Sequence, residues 1–348
     1  MKKALSVLMS LALVLSLAAC APGKTPAEKG ETAGSDAAAE TAEPEQLDVV
    51  LDWYPNAVHA FLYEAQEKGY FAEQGLNVNF IFPSDASDPL TMPCAGKADI
   101  GLYYQEETII AKANENAPVR VIGTVVQEPL VVVCSLKEKG ITSPEQLVGK
   151  KIGYSGTPFG EVVIDTMLQR TGHSLSDVEM INVGFELMSS MTTKQVDATF
   201  DCFINHEIPA LEKEGFAMDY MKLADYGIPN HYALVFVTGE KMLNDNKDKY
   251  TRFLLACQKG FRDMQSDPNA AVELILSRQN EENFPLDAEV EHRSMELLLP
   301  LMEKEGAPFL TQRLEDWQTN IDWLHSSGMI ERTFDPAEIV VDLVTPQP

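Results

Sequence analysis

Positive charge is scarce in this chain. Its 27 Lys and Arg stand against 53 Asp and Glu, a formal net charge of −26. A nucleic-acid partner needs clustered cations to neutralise phosphates, so that class of function is excluded. Cysteine is also scarce: five residues, with no CxxC pair and no Cys/His cluster at zinc spacing. No metal site is therefore expected. The turn GTPFG (156–160) is followed by no GKS or GKT, and no GxSxG elbow occurs. Neither a phosphate-gripping P-loop nor an α/β-hydrolase nucleophile is written here. No catalytic residue and no cofactor are expected. Beyond the N-terminus, no run is apolar enough to span a bilayer.

The N-terminus is what such a chain would need for export. Lys2 and Lys3 precede an apolar run, Ala4 to Leu17, too short and wrongly flanked for a durable span. The run closes on LAAC, 17–20, which is similar to a bacterial lipobox. That similarity implies a lipoprotein signal peptide over 1–19, cleavage before Cys20 and a lipid on the Cys20 sulfur. Residues 20–46 are rich in Ala, Glu, Gly, Thr and Pro and hold no aromatic. Such a segment buries too little apolar surface to offset its ordering entropy, so a disordered, lipid-anchored linker is expected. The protein would then sit at the outer face of the cytoplasmic membrane, its acidic surface serving solubility. The remaining cysteines, Cys94, Cys134, Cys202 and Cys257, allow three disulfide pairings. Cys134 and Cys257 lie in apolar contexts that suit a buried free thiol, and the sequence leaves the choice open.

About 300 residues follow the linker, too many for one small core and suited to two lobes. Strand patterns at 47–53, 76–82, 98–104 and 119–126 alternate with helical ones. The series restarts at 150–155, 179–185 and 196–204. Successive β-α-β units predict a mainly parallel sheet with helices on both faces in each lobe. The long apolar strands at 128–135 and 231–239 are natural crossovers between lobes. The expected division is 47–134 with 228–348 for lobe 1, including C-terminal helices, and 135–227 for lobe 2. Ligands of open α/β sheets bind beyond the carboxyl ends of strands. Trp53–Asn56, Tyr103–Glu107, Ser155–Gly160, Gly184–Glu186 and Asn205–Glu207 all fall at such ends.

The segments DWYPNAVHAFLYEAQEKGYFAEQGLNV (52–78), LYYQEETIIAKA (102–113), GKKIGYSGTPFGE (149–161), NVGFELMSSMTTKQVDA (182–198) and NHE (205–207) carry a resemblance. They resemble the periplasmic-binding family that includes carriers of thiamine pyrimidine precursors. The resemblance implies a two-lobed, type II periplasmic binding protein that closes on its ligand and delivers it to an ABC permease and its ATPase. The same family holds sulfonate, nitrate and riboflavin carriers, and a fungal enzyme that makes the thiamine pyrimidine from pyridoxal phosphate. The DW-PN-H and YQxE signatures point toward the pyrimidine branch. Phe61, Leu62 and Glu106 depart from the family pattern. The expected ligand is a small heteroaromatic of aminopyrimidine type, with riboflavin or sulfonate- and nitrate-type anions as alternatives, and the expected state is a monomer.

A flat heteroaromatic ring needs its faces and its edges recognised separately. Trp53, Tyr104, Phe159 and Phe185 can cover faces. Glu107 and Glu207, with Glu161 behind them, can accept from an amidine-like edge, while Asn56, His59 and Asn205 can donate or accept. The backbone of Ser155, Gly156, Phe159 and Gly160, opening a helix, could offer N–H groups to an oxygen or anion. Asn56 also reads as a helix cap, and Tyr54, Phe61 and Tyr63 as packing.

Overall fold

The computed structural model describes residues 43–279 and 285–344. Cys20, the expected signal peptide and nearly all of the expected linker lie outside the described residues. The strands are β1 (Glu45–Val50), β2 (Leu76–Ile81), β3 (Ile100–Tyr103), β4 (Val119–Val126), β5 (Val131–Leu136), β6 (Lys151–Tyr154), β7 (Glu179–Asn182), β8 (Ala198–Phe203), β9 (Met218–Lys222) and β10 (Leu234–Gly239). They form two five-stranded sheets, ordered β2-β1-β3-β10-β4 and β7-β6-β8-β5-β9.

Both sheets are mixed. The β-α-β portion of each is parallel, β2-β1-β3 in one and β7-β6-β8 in the other. The strands that return from the opposite sheet, β10 and β5, run antiparallel to both neighbours. Four of the five strands in each sheet therefore run the same way, as the expected mainly parallel sheets require. The one reversed strand in each was not foreseen, because alternation along a strand carries no information about its direction. β5 pairs wholly within the second sheet, so the chain crosses between Val126 and Val131, ahead of the expected division after 134. The edge strand β9 had no strong pattern in MDYMK, where only Met218 and Met221 are buried.

Helices cover the sheets: α1 (Ala60–Glu67), α2 (Tyr70–Glu73), α3 (Asp88–Cys94), α4 (Gln105–Glu115), α5 (Pro158–Gln169), α6 (Leu187–Thr192) and α7 (Glu207–Lys213), then the C-terminal α8 (Glu240–Ser266), α9 (Pro268–Arg278), α10 (Ala288–Met302) and α11 (Leu314–Ser326). The first sheet packs on α1 and α8 through an aromatic cluster in which Phe61 of α1 meets Phe236 at 6.2 Å and Phe309 at 5.2 Å edge-on, and Phe253 of α8 meets Phe236 at 5.3 Å. Phe61 is fully buried, so its departure from the family pattern serves the core. Phe61→Ala should cost about 3–5 kcal/mol, read as a lowered denaturation midpoint. Trp317 and Ile321 of α11 are equally buried, in a second core reaching α5 and β6. The four described cysteines are free thiols, and no helix of the described residues is long and apolar enough to cross a membrane.

Candidate functional site

The parallel strands of both sheets end at one cavity, which spans about 830 Å³ with its open mouth included. β1 delivers Asp52 and Trp53, and β3 delivers Tyr104, Glu106 and Glu107. From the other sheet, β6 delivers Ser155, Thr157 and Phe159, and β8 delivers Phe200, Asp201, Phe203 and the Asn205–Glu207 turn. His231 and Ala233 enter from the segment before β10.

Of the side chains singled out from sequence, Trp53, Asn56, Tyr104, Glu107, Ser155, Phe159, Asn205 and Glu207 line this cavity. Asn56 also caps the helical turn at 57–59, its Oδ1 accepting from the Val58 N–H at 3.0 Å. Phe185 stands edge-on to Trp53, 4.4 Å between ring centres, and 5.7 Å from Phe82. Because Phe82 follows β2 and Phe185 follows β7, this aromatic contact joins the two sheets' loops at the Trp53 end of the cavity.

The remaining expectations are corrected. His59 is fully buried behind the wall, with no reach to a ligand edge. Its Nδ1 accepts from the Asn56 N–H at 3.2 Å, which leaves the proton on Nε2 to donate to Asp52 Oδ1 at 2.9 Å. The histidine therefore fixes Asp52, which does face the cavity. Glu161 is exposed on the outer face of α5, where it accepts from the Tyr154 hydroxyl at 2.9 Å. Gly156 (φ +93°) takes a backbone conformation open mainly to glycine and lies beneath Asn182. Gly160 is a close-packing position, where a Cβ would come within 3.0 Å of both Phe200 and Tyr154. Two of the N–H groups offered to an anion are already taken. Ser155 N–H donates to Asp201 at 2.7 Å, and Phe159 N–H to Glu107 at 2.9 Å.

Sequence reading missed the polar floor. Asp201 sits in β8 at φ +80°, where the β5–β8 register shifts. A non-glycine residue held there is strained, and such bulges re-aim side chains toward sites. Its Oδ2 takes both the Ser155 N–H and hydroxyl, the latter at 2.6 Å. Burial, offset in part by these two hydrogen bonds, pushes Asp201 up to about 6. Burial likewise lifts Glu107 to about 7. His206 lies between Glu207 (Nδ1 to Oε1, 3.0 Å) and Glu291 of α10 (Nε2 to Oε1, 3.4 Å). Burial alone would pull His206 down, but the two carboxylates outweigh it and hold it near 10. His231 and Glu106 approach to 3.1 Å, yet burial drives the histidine down to about 4 and the acid well up, so we read a neutral pair rather than an ion pair. The NHE run at 205–207 was one available signal; nothing local marked Glu291.

Two mixed α/β sheets whose strand ends converge on one cavity define the binding-protein class of fold. The alkanesulfonate-binding protein SsuA from Xanthomonas axonopodis pv. citri shares it: TM-score 0.67, 14% identity, 86% of this chain and 99% of that one. The family model described as NMT1/THI5 like matches residues 56–271. A formylaminopyrimidine-binding protein of Halalkalibacterium halodurans is 38% identical over 95% of this chain and 96% of its own. A 4-amino-5-hydroxymethyl-2-methylpyrimidine phosphate synthase of Aspergillus parasiticus is 26% identical over 84% and 85%. The chain belongs to the NMT1/THI5-like family.

Proposed function

We propose that this protein is the lipid-anchored, extracytoplasmic receptor of an ABC importer, and that it binds a thiamine-related aminopyrimidine between its lobes. One observation carries the ligand class. Among the described residues, the cavity walls hold five carboxyl groups, from Asp52, Glu106, Glu107, Asp201 and Glu207, and two imidazoles, with no lysine or arginine. Such walls accept from N–H-rich edges and repel anions. The turn at 155–160 spends two of its N–H groups, those of Ser155 and Phe159, on Asp201 and Glu107, which weighs against sulfonate and nitrate. Trp53, Tyr104 and Phe159 supply ring faces. The 38% identical relative, named a formylaminopyrimidine-binding protein, supports the same ligand class.

In this reading Trp53, Asn56, Tyr104, Glu107, Ser155, Phe159, Asn205 and Glu207 form the binding set, with Phe185 supporting Trp53. Lobe 1 carries the first sheet and C-terminal helices, and lobe 2 the second sheet. Closure of the lobes excludes water, strengthens the edge hydrogen bonds and presents the closed form to the permease. The family also contains synthases, which would require an imine between pyridoxal phosphate and a lysine; the lysine-free walls favour a receptor.

Calorimetric titration tests the ligand class. Aminopyrimidines should bind while riboflavin and alkanesulfonates do not; binding of alkanesulfonates alone would remove the pyrimidine assignment. Anchoring has a separate test. Cys20→Ser should move the protein from the membrane fraction to the soluble extracytoplasmic fraction, and unchanged fractionation would refute lipid attachment.

A further inference from the structure

We propose that the ligand is captured together with one proton, held between a ring nitrogen and the carboxyl groups of Glu107 and Asp201, which line one cavity. This rests on the aminopyrimidine reading of the cavity. An aminopyrimidine edge presents an N–H donor beside a ring-nitrogen lone pair. A carboxylate accepts from the amino group, but a second carboxylate oxygen facing the lone pair is acceptor against acceptor. A proton between them converts that repulsion into a charge-assisted hydrogen bond.

The geometry places the two acids for this. Asp201 Oδ2 is saturated by Ser155, which leaves Oδ1 as the oxygen with no protein hydrogen bond. Glu107 Oε1 is fixed by the Phe159 N–H at the start of α5, so the carboxyl is oriented before any ligand arrives. The left-handed backbone at Asp201 holds its side chain in this wall at the expense of local strain. An independent feature marks the cavity as made for a ligand: Asn205 is 1% exposed, lines it, and its Oδ1 has no partner while Nδ2 is held by Ser294.

Other titratable groups near these two acids come from several elements. Glu106 and Glu115 share α4 with Glu107, Tyr103 ends β3, Tyr154 ends β6, Asp52 follows β1, Glu207 opens α7 and His231 precedes β10. His206 is the charged imidazole of the set, and Glu207 and Glu291 flank it on both sides. It leaves the pair uncompensated. With burial lifting Glu107 to about 7 and Asp201 to about 6, both acids are largely ionised in mildly alkaline solution and able to hold a proton taken up from solvent as the ligand binds.

The proton is counted by titrating 4-amino-5-hydroxymethyl-2-methylpyrimidine into the wild-type protein at about pH 8, in two buffers of different ionisation enthalpy. About one proton should be taken up from solvent per ring bound, and the uptake should shrink and reverse as pH falls below about 6, where the free acids already carry protons. Glu107→Gln should abolish the uptake, and Asp201→Asn should lower affinity at least about tenfold, with melting curves checking that both variants fold. Binding without proton exchange in wild type would overturn the proposal and leave the receptor reading standing. Uptake that persists both in Glu107→Gln and in Asp201→Asn would overturn its assignment to this pair. If no aminopyrimidine binds at all, the receptor reading and the proposal fall together.

Discussion

Replacing His206 by leucine should destabilise the protein by about 3–5 kcal/mol, because it strands two buried carboxylates. His206 is 6% exposed, Glu207 5% and Glu291 fully buried. Each carboxylate has further work: Glu207 Oε2 accepts from the Phe203 N–H at 2.8 Å, and Glu291 Oε2 from the Ala57 N–H at 2.7 Å. Neither can swing to solvent without giving up a backbone hydrogen bond. The imidazolium is thus the cation that lets β8, the 57–59 turn and α10 meet. Its pH signature has a fixed sign. Raised from 6.5 to near 10, His206 contributes stability fully present below about 6.5 and lost as pH rises toward 10. Thermal denaturation across that range should therefore show wild type losing stability relative to His206→Leu. A constant difference between the two proteins would mean that the imidazole is not charged in the native state.

That cluster also shows where sequence reading stops. The strand ends were legible because alternation and turn residues are local, and eight of the thirteen expected site residues reach one cavity as a result. His59 was placed near the right turn but given the wrong task, and Gly156 and Gly160 do not line the cavity. A histidine one turn into a helix looks free to reach outward until Asp52, seven residues earlier, is seen to accept its proton. The reading of 155–160 as an anion cradle failed for a long-range reason. The acids that take the Phe159 and Ser155 N–H groups come from α4 and β8, 52 and 46 residues away. Asp201 was hidden differently: an aspartate in TFDCF reads as an outward-facing strand position, and only a bulge with positive φ turns it to the cleft. Glu291, 234 residues from the Ala57 N–H it accepts from, belongs to a helix whose sequence suggests only packing.

Trp53→Ala should weaken ligand binding by about 2–4 kcal/mol, some 30- to 1,000-fold, while leaving the fold intact. The tryptophan is half-buried at the end of β1 and offers a large ring face to the cavity. It also carries Phe185, so truncation removes one aromatic and releases another. Because Phe185 belongs to the loop after β7 and touches Phe82 after β2, the lost contact is one that spans the two lobes. Binding should therefore suffer more than the loss of a single ring face would imply. Trp53→Phe, which keeps a face of similar placement, should retain most of the affinity. Fluorescence gives a second readout, since the chain has only three tryptophans and Trp317 is sealed in the core. A ligand-induced emission change present in wild type should largely vanish in Trp53→Phe. Unchanged affinity in Trp53→Ala, measured by calorimetry on protein with a wild-type melting curve, would remove this residue from the site. The ring-face recognition would then have to be rebuilt around Tyr104 and Phe159, which line the same cavity.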